Sequence, residues 1–235
     1  MKPPVILIHG AWHAAWCWKK ILPLLQSEEQ NVLTPDLPGH GAQWQPPQTV
    51  TLQTYVMALT TIIQTLNQPV KLVGHSMAGM ILSQIAEIMP DYIHELIFLS
   101  AYIPQSGDSL LTLAKHATTH HLTPYLTIDS HAQRVSLQCS STLIPIFFNC
   151  CQPADATLAL SQLQPQPLQP WQATVTLGKN FDKVSKKVIV CTNDRVLSPV
   201  DQETMGKRVT DRLIYLPADH AAYYSATEEI ATLFK

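Results

Sequence analysis

Three side chains, far apart in the chain, have the types and order that acyl-transfer chemistry requires: Ser76, Asp194 and His220. Ser76 stands in Gly74-His75-Ser76-Met77-Ala78-Gly79, between the β-branched run Val70–Val73 and an apolar helical pattern. A serine on so sharp a strand-to-helix turn is lifted above the sheet edge, and only small residues fit two places before and after it. The helix N-terminus then lies beneath any oxyanion formed at that serine. Serine alone is a weak nucleophile and needs a base, which in turn needs an orienting carboxylate. Val188–Cys191 runs into a turn holding Asp194, and Leu213–Leu216 runs into Pro217-Ala218-Asp219-His220. Asp201 and Asp219 compete for the carboxylate role. Asp201 follows Pro199 and suits the first turn of a helix, whereas Asp219 abuts the histidine and should point elsewhere.

An oxyanion hole needs two backbone N–H groups. Met77, next after the serine, is one candidate. Ala11, in the loop His9-Gly10-Ala11-Trp12 after the first strand, is the other. Gly10 lets the backbone approach substrate closely, and Trp12 can wall the pocket, so both are candidate substrate-binding residues. Trp16 and Trp18 are expected in the core. His9 and His75 are expected to hold loop geometry. His116 and His120 have i, i+4 spacing, but no further ligand accompanies them, so no metal is expected. Asp36, in Asp36-Leu-Pro-Gly-His-Gly41, reads as a turn former.

The elements that must position these residues alternate. Strands are expected at 5–9, 31–35, 70–73, 95–101, 187–192 and 212–216. Helices are expected at 15–25, 51–66 (capped by Thr49 or Thr51), 77–89, 200–207 and 228–234. Such alternation predicts an α/β fold: a six-stranded, mostly parallel sheet with helices on both faces. Its sites lie beyond the C-terminal strand ends. Between 104 and 178 the rhythm stops. This segment is too long for a bare loop and is expected to form a mobile, mostly helical cap of 104–178 on a core of 1–103 and 179–235. Leu110, Leu122, Leu126, Phe147 and Phe148 make the cap apolar.

With 46% hydrophobic and 14% charged residues in 235, the chain can bury a sizeable core. The net charge is −2 and there is no long basic run, so no nucleic-acid partner is expected. No apolar run reaches the roughly 18–20 residues of a membrane span, so no membrane partner is expected either. The N-terminal apolar run of about five residues is too short for a signal peptide. The odd set Cys17, Cys139, Cys150, Cys151 and Cys191 does not suggest a disulfide framework. A reduced, cytoplasmic chain is therefore expected, with Cys150-Cys151 as buried apolar filler.

His9-Gly-Ala-Trp-His-Ala-Ala-Trp-Cys-Trp18, Gly74-His-Ser-Met-Ala-Gly79, Thr192-Asn-Asp-Arg195 and Ala218-Asp-His220 resemble the plant hydroxynitrile lyase and methylesterase family, and especially its bacterial esterase relatives. Leu163-Gln-Pro-Gln-Pro-Leu168 resembles the cap of those relatives. The resemblance spans essentially the whole chain, most clearly outside 105–150. It implies an α/β-hydrolase fold with a cap insertion and no cofactor. It also implies a triad of Ser76, Asp194 and His220, with Ala11 and Met77 as oxyanion donors. The lyases carry threonine at the place of Gly10 and lysine at that of Ala221, so the departures here point to an esterase acting on a small carboxylic ester. A hydroxynitrile lyase and a non-catalytic small-ligand receptor are the rival readings.

Overall fold

The computed structural model describes residues 2–138 and 140–235. Among the described residues nine strands occur: β1 (Val5–Ile8), β2 (Val32–Leu33), β3 (Val70–His75), β4 (Ile93–Leu99), β5 (Leu126–Asp129), β6 (Arg134–Leu137), β7 (Gln166–Pro167), β8 (Lys186–Cys191) and β9 (Leu213–Leu216). The α-helices are α1 (Ile21–Gln26), α2 (Leu52–Leu66), α3 (Ala78–Ile88), α4 (Leu110–Lys115), α5 (Ile144–Phe147), α6 (Pro153–Gln162), α7 (Gln169–Gln172), α8 (Lys179–Lys183), α9 (Pro199–Lys207), α10 (Ala222–Ser225) and α11 (Thr227–Phe234).

Six strands form one sheet in the order β2-β1-β3-β4-β8-β9, and every neighbouring pair is parallel. Each residue of β1 and β3 is buried, whichever face it points to. Both faces are therefore covered, which is why these strands read as continuous apolar runs without alternation. Helix α1 packs on α11, and α3 packs on α2 and α8. Of the two threonines that could cap α2, Thr51 does so, in a reciprocal capping box with Thr54.

The helix expected over 15–25 is broken. A 3-10 turn, Ala15–Trp18, precedes α1. Asp36 fixes the start of that turn by accepting the Ala15 N–H at 2.7 Å. Pro23 has no N–H to give, which a helix tolerates only in its first turn, so α1 begins just before it.

Between β4 and β8 the chain forms short helices together with a three-stranded antiparallel sheet, β5-β6-β7. Its register carries too few residues for an alternation to stand out in the sequence. Helix α4 ends at Lys115, so His116 and His120 do not share a helix. Much of the segment is fastened to the main sheet's loops. Trp12 Nε1 donates to the Val135 carbonyl (3.1 Å), and Gln164 N to the Trp12 carbonyl (2.9 Å). Gln166 is fully buried between His40 and Tyr55, bonding His40 Nε2 at 3.1 Å and the Tyr55 hydroxyl at 3.0 Å. Leu52 N donates to Gln169 Oε1 at 3.0 Å.

Cys17 and Cys191 are buried free thiols. The adjacent pair is not buried filler: Cys150 is exposed and Cys151 half-buried. Both face Asp219, whose carboxylate accepts the Cys150 N–H at 2.6 Å and the Cys151 thiol at 3.4 Å. A polar anchor therefore holds them near the surface. Cys139 lies outside the described residues.

A cluster of buried histidines lies under the C-terminal edge of the sheet: His9, His13, His40, His75 and His220. Carbonyl partners can only accept, which fixes three tautomers. His9 Nδ1 donates to the Gly10 carbonyl, leaving Nε2 to accept the Leu37 N–H at 3.0 Å. His13 Nδ1 donates to the Ala11 carbonyl at 2.7 Å, and its Nε2 accepts the Tyr223 hydroxyl at 2.8 Å. His75 Nε2 donates to the His220 carbonyl at 2.9 Å. Burial holds His9 and His75 well below the usual imidazole range, and lowers His13 to about 3 and His40 to about 4.

Two expected outcomes follow from this packing. Gly79 is the second residue of α3, where an added Cβ would sit 1.9 Å from the Tyr102 carbonyl oxygen. Alanine in a helix ordinarily gains up to about 1 kcal/mol over glycine. Here the backbone clash reverses the sign, and Gly79→Ala should lower the unfolding free energy by about 1–3 kcal/mol in urea titration. The second outcome concerns acid. The four histidines with depressed pKa values take up protons in the unfolded chain before the folded one. Their stabilisation is complete above about pH 6.5 and is lost as pH falls toward 3–4, at up to about 5 kcal/mol per pH unit while all four titrate only in the unfolded state. Urea midpoints should be nearly flat from pH 7 to 8 and fall steeply between 6.5 and 5.

Candidate active site

The C-terminal ends of β1, β3, β4, β8 and β9 bring Gly10–Ala11, Ser76, Ser100, Asp194 and His220 to one edge of the sheet. Ser76 follows β3 with φ +54°, a left-handed conformation in which a Cβ is strained. Its neighbours leave no room for larger residues. An added Cβ at Gly74 would meet Leu82 Cδ1 at 2.4 Å, and one at Gly10 would meet Ser76 Cβ and His75 Nδ1, each at 2.9 Å. The Ser76 carbonyl accepts N–H groups from Gly79 and Tyr102, both at 3.2 Å, which closes the turn. The small residues around the serine are thus required by contact.

Asp194 and His220 meet: His220 Nδ1 donates to Asp194 Oδ2 at 2.8 Å, with both side chains buried. The two loops are tied together by Asn193 N donating to the Ala218 carbonyl at 3.0 Å. The carboxylate is held by four further donors. Oδ1 accepts the N–H groups of Val196 (2.7 Å) and Leu197 (3.0 Å), and Oδ2 accepts Gln202 Nε2 (2.9 Å) and the Ser100 hydroxyl. Ser100 Oγ also lies 3.1 Å from His220 Nδ1. The competing carboxylates are engaged elsewhere. Asp201 lies in the first turn of α9, where its N–H donates to the capping Ser198 Oγ at 3.1 Å, and its carboxylate accepts the N–H (3.0 Å) and hydroxyl (2.9 Å) of Thr118. Asp219 accepts from Cys150, Cys151, Ala221 and Ser225. Asp36 accepts the N–H groups of Ala15 and Ala42, as a turn former should.

Ser76, Ala11, Met77 and Trp12 line a cavity together with Leu110, Leu122, Leu126 and Trp171. The N–H groups of Ala11 and Met77 donate to no group among the described residues. Gly10 stands behind this wall, pressed against Ser76 and His75. Trp12 contributes its ring to the cavity and packs edge-on against Phe147 and Trp171. His220 is not among the residues lining this cavity; its ring lies 4.6 Å from that of His75 and 5.7 Å from that of Phe147. No Asp, Glu, Lys or Arg side chain lines the cavity among the described residues. His120, with Thr119 and Thr123, supplies its polar rim.

Sequence reasoning did not single out Ser100, Gln202 or His13. Ser100 had one usable signal, its position directly after a strand adjacent to the one bearing Ser76. Gln202 had none, because only the packing of α9 against β8 turns its amide toward Asp194.

The model of the Alpha/beta hydrolase family matches residues 5–233. The carbendazim hydrolyzing esterase of Nocardioides sp. (strain SG-4G) is 32% identical over 136 residues, 57% of this chain and 56% of that one. Salicylic acid-binding protein 2 of Nicotiana tabacum is 29% identical over 238 residues, covering 92% of this chain and 90% of that one. A pyrethroid hydrolase from Sphingobium faniae JZ-2 superposes with a TM-score of 0.86 at 25% identity, over 98% of this chain and 95% of that one. With the family match running nearly end to end and the parallel sheet carrying the site at its C-terminal edge, this chain belongs to the alpha/beta hydrolase family.

Proposed function

We propose that the protein is a serine hydrolase of small, uncharged carboxylic esters, working through an acyl-enzyme on Ser76. The observation that carries this reading is the pairing of Asp194 with His220 at the same sheet edge where Ser76, Ala11 and Met77 line one cavity, the N–H groups of the last two donating to no group among the described residues. Ser76 Oγ attacks the ester carbonyl while His220 Nε2 takes its proton. The Ala11 and Met77 N–H groups hold the oxyanion as it forms, where they count more than against the neutral carbonyl. His220 returns the proton to the leaving alcohol. Water, activated by the same ring, then releases the acid and frees the serine. Asp194 keeps the proton on Nδ1, so that Nε2 is bare when needed, and it offsets the charge of the imidazolium.

The lining supports the substrate class. Leucines and tryptophans surround the serine and no full charge faces it, so an ionised substrate would lose its hydration without gaining a partner. The relatives named as esterases and hydrolases agree with ester cleavage. A cyanohydrin lyase is less well supported. Cyanide must be stabilised as it leaves, and Ala221 and Ala222, next to the base, are fully buried and apolar. Two opposite charges about 4 Å apart attract by roughly 4 kcal/mol at an effective dielectric of 20, and among the described residues no Lys or Arg lines the cavity to supply that.

A fluorophosphonate probe should add its mass to the peptide containing Ser76, and Ser76→Ala should remain unlabelled; labelling that survives the substitution would refute the nucleophile. Asp194→Asn should lower kcat about 10²–10⁴-fold by leaving the imidazole in the wrong tautomer, whereas Asp201→Asn should cost far less. Incubated with mandelonitrile and with an aryl acetate, the protein should release the phenol and leave cyanide at the buffer level. Cyanide release lost in Ser76→Ala would favour the lyase.

A further inference from the structure

Ser100 is fully buried at the end of β4, and its backbone is left-handed, with φ +43°. Its N–H donates to the Ile189 carbonyl at 3.0 Å, continuing the β4–β8 ladder. A residue with a Cβ in this conformation is strained, and glycine would sit there at no steric cost. What the side chain adds is one hydroxyl placed between Asp194 and His220.

Hydrogen-bonding rules fix how that hydroxyl is used. Ionised Asp194 can only accept, so the single Ser100 proton goes to Oδ2. The Ser100 lone pairs then face His220 Nδ1 at 3.1 Å, while Asp194 Oδ2 faces the same nitrogen at 2.8 Å. The Nδ1 proton is thereby shared between two acceptors that are themselves bonded to each other. We infer that Ser100 is a positioning residue of the proposed hydrolase. Its hydroxyl locks the Asp194–His220 pair into the tautomer and ring orientation that present Nε2 to Ser76, and it moderates how strongly the carboxylate holds the imidazolium. The inference rests on the serine-hydrolase reading above.

Two effects follow when the hydroxyl is removed. The ring loses one of its two acceptors, so fewer molecules hold Nε2 in line, and kcat falls. The carboxylate loses its closest donor and grips the imidazolium more tightly; the acceptor lost at Nδ1 acts oppositely but was the longer contact, 3.1 Å, so the acid limb of the kcat/KM profile moves to higher pH. The other groups facing His220 stay in place. They are Asp194 after β8, His75 at the end of β3, His13 in the loop after β1, and Tyr223 of α10, which reaches the ring by way of His75 and His13. Asp219 beside it is held by its own partners.

The test uses the intact protein, a p-nitrophenyl acetate assay from pH 5 to 9, and the variants Ser100→Ala and Ser100→Gly. The glycine variant relieves the left-handed backbone and should unfold at a urea concentration no lower than the wild type, so folding does not confound it. Both variants should lose about ten- to a hundredfold in kcat, the span of one hydrogen bond to a charged group, with KM within about twofold. Their acid limbs should move up by several tenths of a pH unit. A kcat within twofold of wild type, or a loss with an unmoved acid limb, overturns the role of Ser100. Fluorophosphonate labelling separates this result from failure of the underlying reading. If the wild type is labelled at Ser76, the serine-hydrolase reading stands whatever the Ser100 variants do. If it is not, that reading falls, and the Ser100 role with it.

Discussion

Ser76 keeps its backbone at φ +54°, where a side chain costs about 1–2 kcal/mol, and the surrounding structure is arranged so that no other conformation is open to it. The carbonyl is held by Gly79 and Tyr102, and the N–H by the end of β4 through Leu99. Gly10, Gly74 and Gly79 are the places where a methyl group would collide with the serine, with Leu82 or with Tyr102. The turn therefore sets the composition of three separate segments. It also fixes where the cavity can be, because the hydroxyl emerges between the Ala11 loop and the start of α3. The loop after β1 approaches this turn so closely that Gly10 has no room for a Cβ.

Long-range pairing adds the remaining members. Asp194 and His220 come from loops after β8 and β9, the last two strands of the sheet, and each loop is set by the strand before it. Five donors on one carboxylate make the acid a rigid point in the site. A carboxylate so surrounded has its hydrogen-bonding capacity filled by the protein, which suits the orienting role proposed for it.

The sheet and the three polar residues were legible because each leaves a local mark. Buried parallel strands are unbroken apolar runs, and the tight turn demands small residues at fixed offsets. The acid and the histidine each follow such a run. What could not be read depends on contacts distant in sequence. Gln202 becomes a partner of Asp194 only through the packing of α9, and the cap's small sheet pairs segments too short to show alternation. The break before α1 was marked by Pro23, but the 3-10 turn is placed by Asp36, twenty-one residues away. Cys150 and Cys151 misled because a cysteine's preference for burial gave way to the neighbouring Asp219. The histidine tautomers follow from acceptors such as the His220 carbonyl, which no sequence pattern announces.

Trp12 joins two parts of the molecule through a single residue. Its ring nitrogen holds the Val135 carbonyl, its own carbonyl receives Gln164, and its backbone sits at φ +64°. The residue just before it is Ala11, which lines the cavity and whose N–H is a proposed oxyanion donor. The seat of the cap and the geometry of that donor are therefore one mechanical unit. In chains of this architecture that diverge by exchanging the segment over the sheet, the transferable piece is not bounded by the ends of the insertion alone. It must bring along a strand able to receive the indole and a glutamine-bearing run able to reach its carbonyl. A graft lacking either would shift the donor peptide even if every residue touching substrate were retained.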